Sequence, residues 1–318
     1  MRVAILDDYQ GVALAMADWA AGLPGAEVVA FADHVDGEEE LVGRLAGFDV
    51  VVAMRERTAF PRPVLERLAD LRLLVTTGMR NASIDLDAAS AAGIVVCGTG
   101  GSSSAAAELT WGLLLALARR IPAEDARVRA GGWQASVGAD LAGTTLGLVG
   151  LGRLGSRVAR YGLAFGMDVA AWSPHLTAAR AEAAGARLVA KEQLFASSDV
   201  VSIHLVLAPA TRGLVGEAEL RSMRPTAYLI NTSRGPIVEE AALLRALHEG
   251  WIAGAGLDVF DVEPLPPDHP WRRAPRCILT PHLGYVTDAA YRTYFADALE
   301  DIQAYTAGAP LRVLAAPR

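Results

Sequence analysis

Two doubly wound α/β domains built on parallel sheets are the fold class this chain predicts, from three observations. Short apolar, β-branched runs alternate with helical patterns from one end to the other. A glycine turn, Gly150-x-Gly152-x-x-Gly155, joins one such strand to one such helix. A last helical segment, Asp288 to Ala307, follows after the strands of the second half are used up.

In the first half, Arg2–Leu6, Glu27–Phe31, Val50–Ala53, Leu73–Thr76 and Ile94–Val96 read as strands, with helical patterns at 12–22, 38–46, 62–69 and 85–92 between them. That βαβ alternation implies a parallel sheet covered on both faces. Gly98-Thr99-Gly100-Gly101-Ser102-Ser103-Ser104 is polar and glycine-dense and reads as a flexible boundary. A long helix follows, Ala105 to Ala130, interrupted at Pro122. The second half carries strands at 144–149, 168–172, 187–189, 199–204, 227–231, 253–258 and 277–280. The last helix belongs back against the first domain, so the chain crosses between domains twice, near Gly98–Ser104 and near Gly284. A cleft between domains is where a small molecule is expected.

With 318 residues, 52% hydrophobic and 20% charged, the chain is long enough for two ordinary cores. Net charge is −7 and no basic–aromatic stripe appears, so nucleic acid is not an expected partner. Cys97 and Cys277 adjoin apolar runs without metal-ligand spacing, so neither a disulfide framework nor a metal is expected. Met1 to Asp8 turns acidic too early for a signal peptide, and Leu109–Ala118 is too short to span a bilayer. A cytoplasmic protein without a membrane partner is expected.

The glycine turn has the flanks that give it meaning: a buried strand before it, and Leu154, Val158, Tyr161 and Phe165 at helical spacing after it. Gly150 permits the tight turn, Gly152 lets the backbone approach a pyrophosphate, and Gly155 lets helix and strand pack closely. The phosphates would sit at the helix N-terminus, where N–H groups and the dipole favour negative charge. Later in the same domain Arg234, Glu263 and His282 each follow a strand, so they can converge at one sheet edge. Their chemistry is complementary. Histidine can give a proton to a carbonyl oxygen as hydride reaches its carbon. A carboxylate on the other ring nitrogen orients the imidazole, and arginine holds a carboxylate through two parallel hydrogen bonds. These parts suggest exchange between a 2-oxo acid and a 2-hydroxy acid.

The chain resembles the D-isomer-specific 2-hydroxyacid dehydrogenases, which include phosphoglycerate dehydrogenases and glyoxylate/hydroxypyruvate reductases. The signatures are Gly147-Leu148-Val149-Gly150-Leu151-Gly152-Arg153-Leu154-Gly155, Asn231-Thr232-Ser233-Arg234-Gly235, Leu257-Asp258-Val259-Phe260 through Glu263-Pro264, and Thr280-Pro281-His282-Leu283-Gly284. The resemblance implies a Rossmann cofactor domain, 99–285, inserted in a flavodoxin-like substrate domain, 1–98 plus 286–318. It implies His282 as acid/base, Glu263 as its partner and Arg234 as substrate anchor. It also implies that Arg153 and Leu154 meet the pyrophosphate, Thr232 and Asp258 the nicotinamide side, and Leu207 and Pro209 the adenosine. Thr77-Gly78-Met79 matches a loop whose N–H groups hold the substrate carboxylate, and Arg55 a position near the substrate. A homodimer through the region around 105–130 is implied as well.

Four positions depart from that pattern. Ser173 stands where an acid for the ribose hydroxyl is expected, with His175 and Arg180 as nearby cations, so NAD and NADP stay equally open. Gly98 and Gly100 replace residues that are often Asn and Pro, which would loosen the first crossing. Arg80, with Arg55 and Arg57, either reads a second anionic group on the substrate or faces solvent from a turn. Two other functions share the scaffold: a cofactor-sensing regulatory protein of corepressor type, and a phosphite-type dehydrogenase. Formate oxidation fits less well, because it has no carbonyl oxygen to protonate and a glutamine would suit it better than Glu263.

Overall fold

The computed structural model describes residues 1–102 and 104–317. Ser103, in the polar run expected to be flexible, lies outside the described residues. The strands are β1 (Arg2–Ile5), β2 (Glu27–Ala30), β3 (Val50–Ala53), β4 (Leu73–Thr76), β5 (Val95–Gly98), β6 (Thr145–Val149), β7 (Asp168–Trp172), β8 (Arg187–Leu188), β9 (Val200–Ile203), β10 (Tyr228–Asn231), β11 (Gly254–Leu257), β12 (Cys277–Leu279) and β13 (Val313–Ala315). They form two sheets in two separate units, Met1–Ser102 with Val286–Arg318, and Ser103–Tyr285.

The first unit has the sheet order β13-β5-β4-β3-β1-β2. Its five leading strands are parallel in the flavodoxin-like order. β3, β4 and β5 are buried at every position, as expected of strands covered on both faces. Burying each of their Val and Leu side chains is worth roughly 1.5–3 kcal/mol. The antiparallel strand β13 escapes sequence reading because three apolar residues carry no period. The 12–22 segment is two single turns, Ala13–Met16 and Trp19–Gly22, because Asp18 caps the second by accepting from the Ala21 N–H (3.1 Å).

The Gly98–Gly101 stretch is held rather than loose, which corrects the expectation drawn from its glycines. Gly98 N–H donates to Arg312 O (3.0 Å), Thr99 N–H to Thr76 O (3.1 Å) and Gly100 N–H to Asp297 Oδ2 (2.7 Å). A Cβ on Gly98 would lie 2.8 Å from Gly78 O, and one on Gly101 would lie 3.0 Å from the Tyr294 ring. Glycine serves close approach here, not mobility.

The same unit buries an acid. Asp301, on the helix Asp288–Thr306, accepts from Arg312 Nε through Oδ1 (3.0 Å), while Oδ2 has no partner among the described residues. Burial pushes its carboxyl up to about 6. The folded state therefore holds the proton to higher pH than the unfolded chain, and this group's contribution to stability falls as pH rises from about 4 to about 6. Asp301→Asn removes that titration. Its Tm minus that of the wild type is expected to climb by a few degrees between pH 4 and pH 7, reflecting about 2–3 kcal/mol. Parallel Tm curves in calorimetry would show that Asp301 does not titrate there.

The second unit has the order β12-β11-β10-β9-β6-β7-β8, all parallel. β6 sits between β7 and β9, at the point where strand order reverses and α/β sheets bind ligands. The helical stretch over 105–130 is interrupted as expected: it forms two helices, Ala105–Ala118 and Ile121–Arg129, with Arg120 left-handed at the break (φ 52°). Pro122 causes it: proline has no N–H to donate and its ring would strike the carbonyl four residues back. Burial pushes the thiols of Cys97 and Cys277 up to about 12, away from the thiolate form that a nucleophile uses. Among the described residues no helix is long and apolar enough to cross a membrane.

Candidate active site

The glycine turn has the geometry its residues imply. Gly150 follows β6 at φ 103°, and its N–H donates to Trp172 O (2.8 Å). A Cβ there would lie 2.6 Å from His204 O, and one on Gly155 would overlap the Gly150 carbonyl. Those two glycines are required by the protein's own packing. Gly152 is not: its backbone is extended, and a Cβ on it would meet no atom of the described residues within 4 Å. A phosphate approaching the N-terminus of the helix Arg153–Ala164 accounts for it, so the turn fits a dinucleotide.

The other cofactor candidates follow from the strand ends. Arg153 is exposed and Leu154 half-buried in the first helical turn. Ser173 directly follows Trp172, whose carbonyl Gly150 holds, so it stands beside the turn, and His175 is exposed two residues on. Leu207 packs on the unit's core and Pro209 is exposed. Ser202 Oγ lies 2.9 Å from Nε2 of His204, and burial pushes that imidazole down to about 4, keeping it neutral. Thr110 Oγ donates to Ala106 O (2.8 Å), so the Thr232 hydroxyl, 2.7 Å from Thr110 Oγ, must be the donor of that pair. Thr232 keeps acceptor capacity for a ligand.

Arg234, Glu263 and His282 come from three neighbouring strand ends, those of β10, β11 and β12. His282 and Glu263 meet directly. His282 Nδ1 lies 2.5 Å from Glu263 Oε2, and a carboxylate can only accept, so Nδ1 carries the proton and Nε2 is the nitrogen left for chemistry. The Phe260 N–H donates to the other oxygen of Glu263 (2.8 Å). The Tyr285 ring meets the imidazole edge-on, with centroids 5.2 Å apart. The Arg234 guanidinium donates to Ser233 O (2.7 Å), and the Asn231 amide donates to Arg234 O (3.0 Å). Its neighbour Gly235 packs so tightly that a Cβ would overlap the Phe260 carbonyl and lie 2.6 Å from the Asp261 N. The arginine turn and the Glu263 loop are thus in direct backbone contact at this glycine.

His282 is left-handed (φ 52°), a conformation that costs a non-glycine residue about 1–2 kcal/mol. Asp258 holds it there. Fully buried, it accepts from Thr280 Oγ (2.6 Å), Leu283 N (2.7 Å) and Gly284 N (2.8 Å), on both sides of the histidine. Burial pushes its carboxyl up, against the pull of those donors and of His282. The resemblance assigned Asp258 to the nicotinamide side; in the structure its oxygens also serve the histidine loop, with Oδ2 accepting from the Gly284 N–H and keeping a further lone pair.

In the first unit Arg55, Thr77, Gly78, Met79 and Arg80 gather at the carboxyl ends of β3 and β4. Arg55 N–H donates to Thr77 Oγ (2.9 Å). Thr77 N–H is taken by Ala53 O (3.0 Å) and Gly78 N–H by Thr99 Oγ (2.8 Å), which leaves the N–H groups of Met79 and Arg80 facing no acceptor among the described residues. Both residues are exposed. Nothing in the local sequence marks Thr99 or Thr110 as partners, since both contacts join distant segments.

A parallel sheet with a dinucleotide turn at its reversal point, and an oriented imidazole at a nearby strand end, define a nicotinamide-dependent oxidoreductase. The chain belongs to the D-isomer specific 2-hydroxyacid dehydrogenase family: residues 111–284 match the model of that family's NAD binding domain. A glyoxylate reductase of Aeropyrum pernix is 40% identical over 77% of this chain and 76% of its own. A D-3-phosphoglycerate dehydrogenase of Archaeoglobus fulgidus is 36% identical over 86% of this chain, which spans only 52% of that relative. The crystal structure of a phosphoglycerate oxidoreductase from Vibrio cholerae superposes with a TM-score of 0.93 at 37% identity, covering 97% of this chain and 100% of that one.

Proposed function

We propose that the chain reduces a small anionic 2-oxo acid to the D-2-hydroxy acid with a reduced nicotinamide cofactor. The single observation behind this reading is the 2.5 Å contact between His282 and Glu263, which ties Nδ1 to the carboxylate and leaves Nε2 as the nitrogen that carries the second proton of the imidazolium to the substrate. The cofactor supplies the hydride. Arg234 grips the substrate carboxylate through two N–H groups and polarises the adjacent carbonyl. His282 delivers the proton to the carbonyl oxygen, and Glu263 balances the imidazolium while holding the ring. The cofactor contacts are Gly150, Gly152, Arg153, Leu154, Gly155, Ser173, His175, Leu207, Pro209, Thr232 and Asp258. Reduced-nicotinamide absorbance with glyoxylate, hydroxypyruvate and pyruvate, each with NADH and NADPH, tests the reading and decides the cofactor. Tight cofactor binding without turnover of any 2-oxo acid would favour the regulatory alternative.

In the first unit Met79 and Arg80 offer backbone N–H groups to an anion, while Arg80, Arg55 and Arg57 read a second anionic group. Arg80→Ala is expected to lower kcat/KM about tenfold more for a dianionic 2-oxo acid than for a monoanionic one, as one lost charge-assisted hydrogen bond predicts. Equal losses would place Arg80 in solvent only. A homodimer is supported by the solvent-facing apolar side chains Ile121, Val128, Trp133 and Val137, exposed by 52% to 93%. A one-chain mass in sedimentation would overturn it.

A further inference from the structure

Glu263 reaches His282 from an unusual platform. The connection from β11 to β12 runs over 258–276, and its regular structure among the described residues is one 3-10 turn, Pro270–Arg273. A connection of that length needs anchors of its own. Trp271 is one: 3% exposed, it is part of the core under the sheet. Its indole N–H donates to Glu240 Oε2 (2.9 Å). Its backbone N–H donates to His269 Nδ1 (3.3 Å), and Nε2 of the same ring lies 3.4 Å from Glu240 Oε1. Both oxygens of Glu240 are therefore spent on this connection. Arg272 closes it on itself by donating to Pro266 O (2.7 Å) and Leu265 O (2.5 Å).

Glu240 is fixed in turn. It is the first residue of the helix Glu240–Glu249, where the dipole favours a carboxylate. Between it and the Glu263 platform lies a cavity of about 10 Å³, lined by Asn231, Gly235, Glu240, Phe260, Asp261 and Trp271, the size of one water. Little space is available for the platform to settle elsewhere while Glu240 holds Trp271.

We propose that Glu240 is a positioning residue for the Glu263–His282 pair, acting through the Trp271 indole to hold the 258–276 connection in place. This rests on the reading of His282 as proton donor. Glu240 lies outside the proposed substrate and cofactor contacts, so its loss is expected to act on proton delivery and not on binding. A shift of about 1 Å in a catalytic group can cost as much as 100-fold in rate. A partial shift of Glu263 is expected to cost about tenfold.

Glu240→Ala and Trp271→Phe are each expected to lower kcat about tenfold with KM and cofactor Kd unchanged. Glu240→Gln, which still accepts from the indole, is expected to stay within about twofold of wild type. Combined with Glu263→Gln, Glu240→Ala should have almost no further effect, because the group it positions is gone. Equal losses from Glu240→Ala in the two backgrounds, or a loss confined to Tm, would overturn the proposal. A measurement independent of turnover closes the test. The ¹⁵N shifts of the His282 ring should report a proton on Nδ1 in the wild type and in Glu240→Gln, and a mixture of tautomers in Glu240→Ala. Unchanged shifts in Glu240→Ala would reject the role for Glu240. Moved shifts in a protein that turns over no 2-oxo acid would reject the proposed function and leave the positioning role standing.

Discussion

His282→Asn is expected to lower kcat for 2-oxo acid reduction by roughly 10²–10⁴-fold, the usual worth of a positioned general acid. Asparagine keeps a polar group of similar size but has no proton to give at neutral pH. Cofactor Kd should stay within about twofold, because the dinucleotide turn and helix end at Gly150–Gly155 lie on β6 and the helix after it, not on the 280–284 loop. The loop itself should survive: its grip comes from Asp258 on Thr280, Leu283 and Gly284, none of which the substitution touches. Single-turnover rates with cofactor fluorescence titrations check both halves. A variant with kcat within a few fold of wild type would remove His282 from the chemistry and transfer the proton to another donor.

Gly155→Ala is the second large effect, and it should reach binding and stability together. The new methyl would overlap the Gly150 carbonyl, so the helix Arg153–Ala164 must lift off the turn. Overpacking of this kind costs about 1–3 kcal/mol. Displacing the helix end from the phosphates should weaken cofactor binding about 10–100-fold. Gly152→Ala separates the two causes, since its Cβ meets no atom of the described residues. That variant should keep its Tm and still lose cofactor affinity. Cofactor titration and differential scanning calorimetry on the pair decide the matter. Unaltered affinity in Gly155→Ala would mean that the turn does not hold a pyrophosphate.

The turn is legible in the sequence because its signal is local: a strand, three glycines at fixed spacing and a helix lie in one short segment. The strands of both sheets were legible for a similar reason, since runs such as Val50–Val52 and Leu73–Val75 must be buried on both faces. Helix ends were less so, as at Arg120, where Pro122 stops the ladder earlier than the apolar pattern suggests. Gly98 and Gly100 are not legible in the same way, because glycine has two uses, freedom and close approach, and only the neighbours Gly78 and Asp297 show which applies.

By itself the sequence determined the class of sheet, the dinucleotide turn and the three residue types whose chemistries complement one another, because period, turn chemistry and side-chain acidity are properties of short segments. Tertiary structure alone decided which groups meet. It set His282 on Glu263, turned Asp258 inward to hold a left-handed histidine, and spent the N–H groups of Thr77 and Gly78 on internal partners. It also brought Glu240 under Trp271. Each of these is a hydrogen bond between segments far apart in the chain. Such a bond depends on how strands stack and where loops return, and no local pattern encodes it.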